Sequence, residues 1–118
     1  MKQRGVKYDD IMYKSNNNNI ILQLFEAPTW CGHCKDFAPK WQALKDFKTK
    51  SSDGNRVIKA KDLIDFQSYD DNHPKTQEEK ITGFPTLMLN VNGTKHKYEG
   101  ARTPENILRF ILDKLEKQ

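Results

Sequence analysis

Two cysteines, Cys31 and Cys34, stand in the run Ala27-Pro28-Thr29-Trp30-Cys31-Gly32-His33-Cys34-Lys35, and they are the only two in 118 residues. With no other sulfur to pair with, the chain has no disulfide framework, and its thiols are a site rather than a staple. A Cys-x-x-Cys where a strand gives way to a helix marks a dithiol that cycles between reduced and oxidised forms. Exchange begins when a thiolate attacks a disulfide sulfur, yet a free cysteine, with a pKa of about 8.5, is mostly protonated at neutral pH. Activation therefore needs positive potential. The pattern places Cys31 at a helix N-terminus, where unpaired N–H groups and the helix dipole favour an anion; Cys34, one turn in, is more buried and stays a thiol. His33 adds an imidazolium that stabilises a Cys31 thiolate and, with it, the reduced form. Cys31 is thus expected to be the nucleophile and Cys34 the resolving thiol that attacks the mixed disulfide.

The competing chemistry for the pair is half of a metal site. A structural zinc takes four ligands, whereas His33, His73 and His96 are the only imidazoles and no second cysteine pair exists. Neither a metal nor a cofactor is expected, and His73 and His96 read as surface residues.

The elements around the site follow from periodicity. Ile20-Ile21-Leu22-Gln23-Leu24-Phe25 is a nearly continuous apolar run of strand length, suited to a strand buried on both faces of a parallel sheet. The chain turns at Pro28 and delivers the cysteines. From Cys34, Phe37, Trp41, Leu44 and Phe47 recur at helical spacing, with Pro39 expected to kink that helix. After the loop Ser51 to Asn55, Arg56 to Phe66 holds two strand candidates, Val57 to Ala60 and Leu63 to Phe66, the second favoured for the core. Pro74 to Thr82 reads as a short helix. Phe84 to Leu89 leads into a strand that Asn92-Gly93 folds back antiparallel onto Thr94 to Glu99. Thr103-Pro104 starts a last helix, a capping hydroxyl before a proline at the first helical position, with Ile107, Leu108, Ile111, Leu112 and Leu115 facing the core.

The length fits one compact domain with a core of its own. A hydrophobic content of 36% against 31% charged implies a small core and a densely charged surface. The net charge of +4 comes from twenty basic and sixteen acidic residues with no block of like charge, so nucleic-acid binding is not expected. No run is long enough to span a bilayer, and the charged N-terminus lacks the apolar stretch of a secretory signal. A cytosolic or other soluble compartment is the expectation, with a secretory lumen left open. Asn16 to Asn19 reads as a surface loop with no assigned function.

Strand, helix, strand, helix, strand, strand, helix, with Cys-x-x-Cys opening the first helix and a lone proline before the hairpin, resembles the thioredoxin fold. The site most resembles the catalytic domains of protein disulfide isomerases. Five segments carry the likeness in order: Ala27-Pro28, Cys31-Gly32-His33-Cys34-Lys35, Ala38-Pro39, Gly83-Phe84-Pro85-Thr86, and Tyr98-Glu99-Gly100 followed by Arg102. The fold implied is α/β, a central mixed sheet of four to five strands flanked by three to four helices. Residues 20–118 form the domain, and 1–19 are an N-terminal extension or an abbreviated first strand and helix with the Asn-rich loop.

The resemblance implies a thiol–disulfide oxidoreductase of isomerase or oxidase type with Cys31, Gly32, His33 and Cys34 as its catalytic run. Thioredoxin and protein disulfide isomerase differ by about 90 mV, about 4 kcal/mol for two electrons, and a histidine at position 33 points to the oxidising end. Pro85 matches the family's cis-proline, with Phe84 pairing to an extended substrate, and Trp30 is implied to flank the nucleophile. Lys35 matches the residue after the second cysteine. Arg102 matches an arginine that swings towards that cysteine and lowers its pKa. Partners would be proteins bearing cysteines or disulfides, met by a monomer, with no membrane. Two other readings stay open: a general reductase recycled by a thioredoxin reductase, and a peptide-binding module with little turnover.

Two departures bear on the last reading. Thr29 is an extra residue before Trp30. Related domains also carry a buried acid on the strand before the site as proton acceptor for the second cysteine, and Leu24 occupies that position. The relay is then either missing or moved to Glu26, which would serve as base through water.

Overall fold

The computed structural model describes residues 18–50 and 54–116. Its centre is β1 (Ile20–Phe25), which pairs in parallel with β4 (Asp65–Tyr69) on one side and antiparallel with β5 (Thr86–Val91) on the other. Strand β6 (Thr94–Lys97) completes a four-stranded mixed sheet in the order β4-β1-β5-β6. Among the described residues, four helices accompany it: α1 (Gly32–Lys45), α2 (Ala60–Leu63), α3 (Pro74–Glu78) and α4 (Pro104–Glu116). A separate antiparallel ribbon joins β2 (Lys48–Lys50) to β3 (Val57–Lys59).

Alternation along the strands sorts side chains to two faces. Ile20, Leu22 and Leu24 lie opposite Val91, Leu89 and Leu87, and this face shares one core with Phe37, Trp41 and Leu44 of α1 and Ile107, Leu108, Ile111 and Leu115 of α4. Gln23 and Phe25 face the other way, next to Gln67 and Tyr69 of β4; the Gln23 amide donates to Gln67 at 3.3 Å, and Phe25 stacks on Tyr69 with ring centroids 5.4 Å apart. Central β1 is therefore buried on both faces as expected, although only one of its neighbours is parallel.

The caps also follow from local chemistry. Asn92 (φ 53°) and Gly93 (φ 91°) both take the left-handed region that a two-residue hairpin turn needs. Asn19 is bonded to this turn from both sides, its N–H donating to the Asn92 side chain at 2.8 Å and its carbonyl accepting the Asn92 N–H at 2.9 Å. The Thr103 hydroxyl accepts the Asn106 N–H at 3.2 Å, capping α4.

Four expectations need correction. Phe47 is 38% exposed and off the helical stripe, because α1 ends at Lys45 with Asp46 as its C-cap. The favoured second candidate does join the main sheet, but its bounds are Asp65–Tyr69 rather than Leu63 to Phe66: Leu63 closes α2, and β4 is a sheet edge that needs few apolar residues. The short helix stops at Glu78, and Lys80 follows in the left-handed region at φ 56°. His96 is not a surface residue; it lies half-buried opposite Leu89, its Nε2 buried without a hydrogen-bond partner among the described residues. Helix α1 continues through Pro39 to Lys45. Residues 1–17, which hold most of the N-terminal extension and the start of the Asn run, lie outside the described residues.

Candidate functional site

The site forms where β1 ends. Proline at 28 stops the strand, residues Pro28 to Trp30 turn, and the Cys31 N–H closes the turn on the Ala27 carbonyl at 2.9 Å. The extra Thr29 is accommodated within this turn. Cys31 is the N-cap of α1 (φ −91°, ψ 109°), and its sulfur accepts the Cys34 N–H at 3.1 Å, the bond an N-cap oxygen would normally take. No acidic residue in the first turn of α1 opposes negative charge there. Both thiols are free and nearly closed off, Cys31 at 6% exposure and Cys34 at 3%, so the expected difference in burial is present but small.

The second sulfur sits in different surroundings. The Ala27 N–H donates to the Cys34 sulfur at 3.4 Å. Burial pushes the Cys34 thiol up to about 11; the Ala27 amide opposes this, while the hydrogen bond and charge of Cys31 and the charge of Glu26 add to it. The Cys31 thiol points to the Phe84 carbonyl, 3.5 Å away, and Phe84 packs with Ala27 and the two cysteines in one small cluster. The Phe84–Pro85 peptide is cis, and Pro85 is buried.

The remaining expected residues divide into those close to the sulfurs and those facing solvent. Glu26 directly follows β1, its N–H bonded to the Tyr69 carbonyl at 2.9 Å. Its half-buried carboxyl is raised above the ordinary value by burial first and by the Asp70 charge second, and it lies close enough to Cys34 for its own charge to act on that sulfur. Leu24, at the position of the usual acid, is core. Trp30 is 63% exposed, with its ring edge-on to Phe84 at 5.8 Å and its indole N–H donating to Asp71 at 3.0 Å. Gly32, His33 and Lys35 lie on the exposed side of the first turn of α1, and a Cβ on Gly32 would meet nothing within 4 Å. Arg102 is exposed on the loop after β6 and lines a groove that also includes Phe84 and Pro85. His73 caps α3, its Nδ1 accepting the Lys75 N–H at 3.0 Å, and packs on the Tyr69 ring.

Asp70 and Asp71 are site neighbours that sequence reasoning missed. The signal lay in the topology: β4 runs parallel to β1, so the loop after each strand emerges at the same end of the sheet. Only the register Phe25 to Tyr69 shows that Asp70 follows directly beside Glu26.

The sequence matches the family model described as Thioredoxin over residues 2–113. Among curated proteins, it is 35% identical over 113 residues to a protein disulfide-isomerase of Humicola insolens, covering 87% of this chain and 21% of that protein. It is 36% identical over 99 residues to protein disulfide isomerase-like 1-4 of Arabidopsis thaliana, covering 84% and 15%. The chain therefore spans about a fifth or less of the length of these relatives. Among solved structures, the first thioredoxin domain of mouse protein disulfide-isomerase A4 superposes with a TM-score of 0.59 at 25% identity, covering 88% of this chain and 68% of that one. No helix among the described residues is long and apolar enough to cross a membrane. The match over nearly the whole chain, on a mixed sheet that delivers Cys31 and Cys34 to a helix start, places it in the thioredoxin family.

Proposed function

We propose that the chain is a thiol–disulfide oxidoreductase of the protein disulfide isomerase type, exchanging its Cys-Gly-His-Cys dithiol with cysteines of other proteins. One observation carries the reading: the Cys31 sulfur caps α1 and accepts the Cys34 N–H, while the Cys34 thiol is held protonated. In the reductive direction, the Cys31 thiolate attacks one sulfur of a substrate disulfide; the Cys31–substrate bond forms and the other substrate sulfur leaves as thiolate. Cys34 then gives up its proton and attacks the Cys31 sulfur, releasing the substrate and leaving the Cys31–Cys34 disulfide. The substrate has gained the two electrons the dithiol has lost. Oxidation is the reverse, and isomerisation results when a substrate thiol resolves the mixed disulfide instead.

Each neighbour has a part in this scheme. His33 is the cation beside the Cys31 thiolate, and Gly32 leaves the space over the first turn open for substrate. Glu26 takes the Cys34 proton through water. That transfer conserves the charge of the pair, so the Glu26 charge, which adds to the effect of burial in holding Cys34 protonated, is neutralised as Cys34 ionises. Arg102 assists by swinging towards Cys34. Trp30, Phe84 and Pro85 hold an extended substrate across Cys31, with the Phe84 carbonyl already beside that sulfur.

Insulin reduction and refolding of a scrambled disulfide protein, with Cys31→Ser as control, test the proposal; loss of both with the control and neither in its absence is expected. A second reading, a peptide-binding module of low turnover, is favoured by Leu24 at the usual acid position. Rapid formation of a mixed disulfide that is never resolved would select it.

A further inference from the structure

The groove beside the reactive sulfur has one charged wall. It holds about 320 Å³, room for a short stretch of extended chain, and its lining includes Phe84, Pro85, Lys97, Glu99 and Arg102. The carbonyl of Phe84, a lining residue, lies 3.5 Å from the Cys31 sulfur, so chain bound in the groove adjoins chain at the sulfur. The lining also carries two cations and one carboxylate. Glu99 is already engaged by Lys97 at 3.8 Å, whereas Arg102 has no carboxylate within ion-pairing distance among the described residues. The acidic groups near the sulfurs, Glu26, Asp70 and Asp71, do not line this groove.

The rim is held in place rather than left loose. The Tyr98 hydroxyl donates to the Ala101 carbonyl, bridging the segment that carries Glu99 and Arg102, and the Tyr98 N–H donates to Leu87 at 2.9 Å. Tyr98 also packs edge-on to Phe110 of α4 at 4.9 Å. A Cβ on Gly100 would lie 2.9 Å from the Tyr98 hydroxyl, so a side chain here would push against the ring that folds across the loop.

We propose that Arg102 and Lys97 are specificity-determining residues that select substrates with an acidic side chain close to the reacting cysteine. The inference rests on the oxidoreductase reading and deepens it. An acidic residue two or three positions from the substrate cysteine would lie along the groove and pair with Arg102, competing with Glu99 for Lys97. Such rim charges act mainly through encounter and orientation, and salt weakens them.

The test uses reduced protein in single turnover with four disulfide-linked peptide homodimers, each with one Glu or one Lys two residues before or after the cysteine. Rates are divided by those of dithiothreitol with the same peptides, which removes intrinsic differences in disulfide reactivity. At low salt, on one side of the cysteine, the Glu peptide is expected to react about threefold to tenfold faster than the Lys peptide. The preference should collapse at high salt and reverse in the Lys97→Glu/Arg102→Glu double variant. Loss of Arg102 assistance at Cys34 would slow all four peptides alike, so only the ratio reads recognition. Equal rates for all four, or a ratio that survives charge reversal, overturn the proposal. Failure of the wild type to reduce any peptide overturns the oxidoreductase reading and this proposal with it.

Discussion

The amide of Cys34 is aimed at the sulfur of Cys31 from 3.1 Å, so the start of α1 serves one sulfur and not the other. Cys34 receives only the single Ala27 amide at 3.4 Å, against the cost of ionising in a buried place beside Cys31 and Glu26. Two cysteines three residues apart and almost equally buried are thereby made electrically unlike. Sequential thiol chemistry needs that inequality: one sulfur attacks, and the other waits until a mixed disulfide exists.

Alkylation separates the two thiols. With the Cys34 thiol pushed up to about 11, roughly one in three thousand is ionised at about pH 7.5. Iodoacetamide is expected to add once to the folded protein at neutral pH, at Cys31, and a second time only near that high pH or after unfolding. Cys34→Ser should keep the fast addition and accumulate mixed disulfide with a protein substrate, whereas Cys31→Ser should lose both; mass spectrometry without reductant reads each outcome.

Phe25 links the core to the site. It is fully buried and stacked on Tyr69, whose carbonyl anchors the Glu26 N–H. Phe25→Ala is expected to cost about 3–5 kcal/mol, with little collapse of the cavity because β1 is held on both sides. The urea midpoint should fall with an unchanged slope. Resolution of the mixed disulfide should slow as well, even in conditions where the variant is fully folded.

Much of this arrangement was legible in the sequence because the signals were local. The apolar run Ile20 to Phe25, the Asn92-Gly93 turn and the Thr103-Pro104 start each specify their own conformation, and each is found in place. Where the outcome depended on a distant partner, local pattern was insufficient. Lys48–Lys50 is polar and forms a strand only because Val57–Lys59 folds back on it. His96 is on a short strand whose other residues are exposed, and it lies opposite Leu89. Asp70 and Asp71 look like ordinary loop acids until the parallel register of β1 and β4 sets them next to Glu26 and Trp30. The cysteines themselves needed no such register, since N-cap and first turn are three residues apart on one helix.

The Glu79–Lys95 contact ties α3 to β6 and carries a pH signature. The Lys95 ammonium, bonded to the Glu79 carboxylate and aided by Lys75, holds that carboxyl below the usual range, with burial opposing. A folded-state value below the unfolded one stabilises above the ordinary carboxylate pKa and is lost as pH falls through the lowered value. Lys95→Met should therefore lower stability by up to about 1 kcal/mol near neutrality. In strong acid the variant and the wild type should melt together.

Glu26 makes the opposite signature, and it couples stability to turnover. Burial and then Asp70 raise its carboxyl, so the folded chain holds the proton more tightly than the unfolded chain. The stabilising effect is present below the ordinary carboxylate value and declines as pH rises through the raised one. Glu26→Gln should accordingly melt at a higher temperature than wild type near neutrality, with the gap closing in acid. The same variant should resolve the Cys31 mixed disulfide on the order of 100-fold more slowly, the usual scale for a lost general base. In rapid-quench measurements across pH, the wild-type resolution rate should climb through the Glu26 titration and then level. The variant should lack that limb and rise only as pH approaches the Cys34 value of about 11. A variant that gains stability yet keeps the wild-type pH profile would leave Glu26 as an unfavourably buried charge with no part in proton transfer.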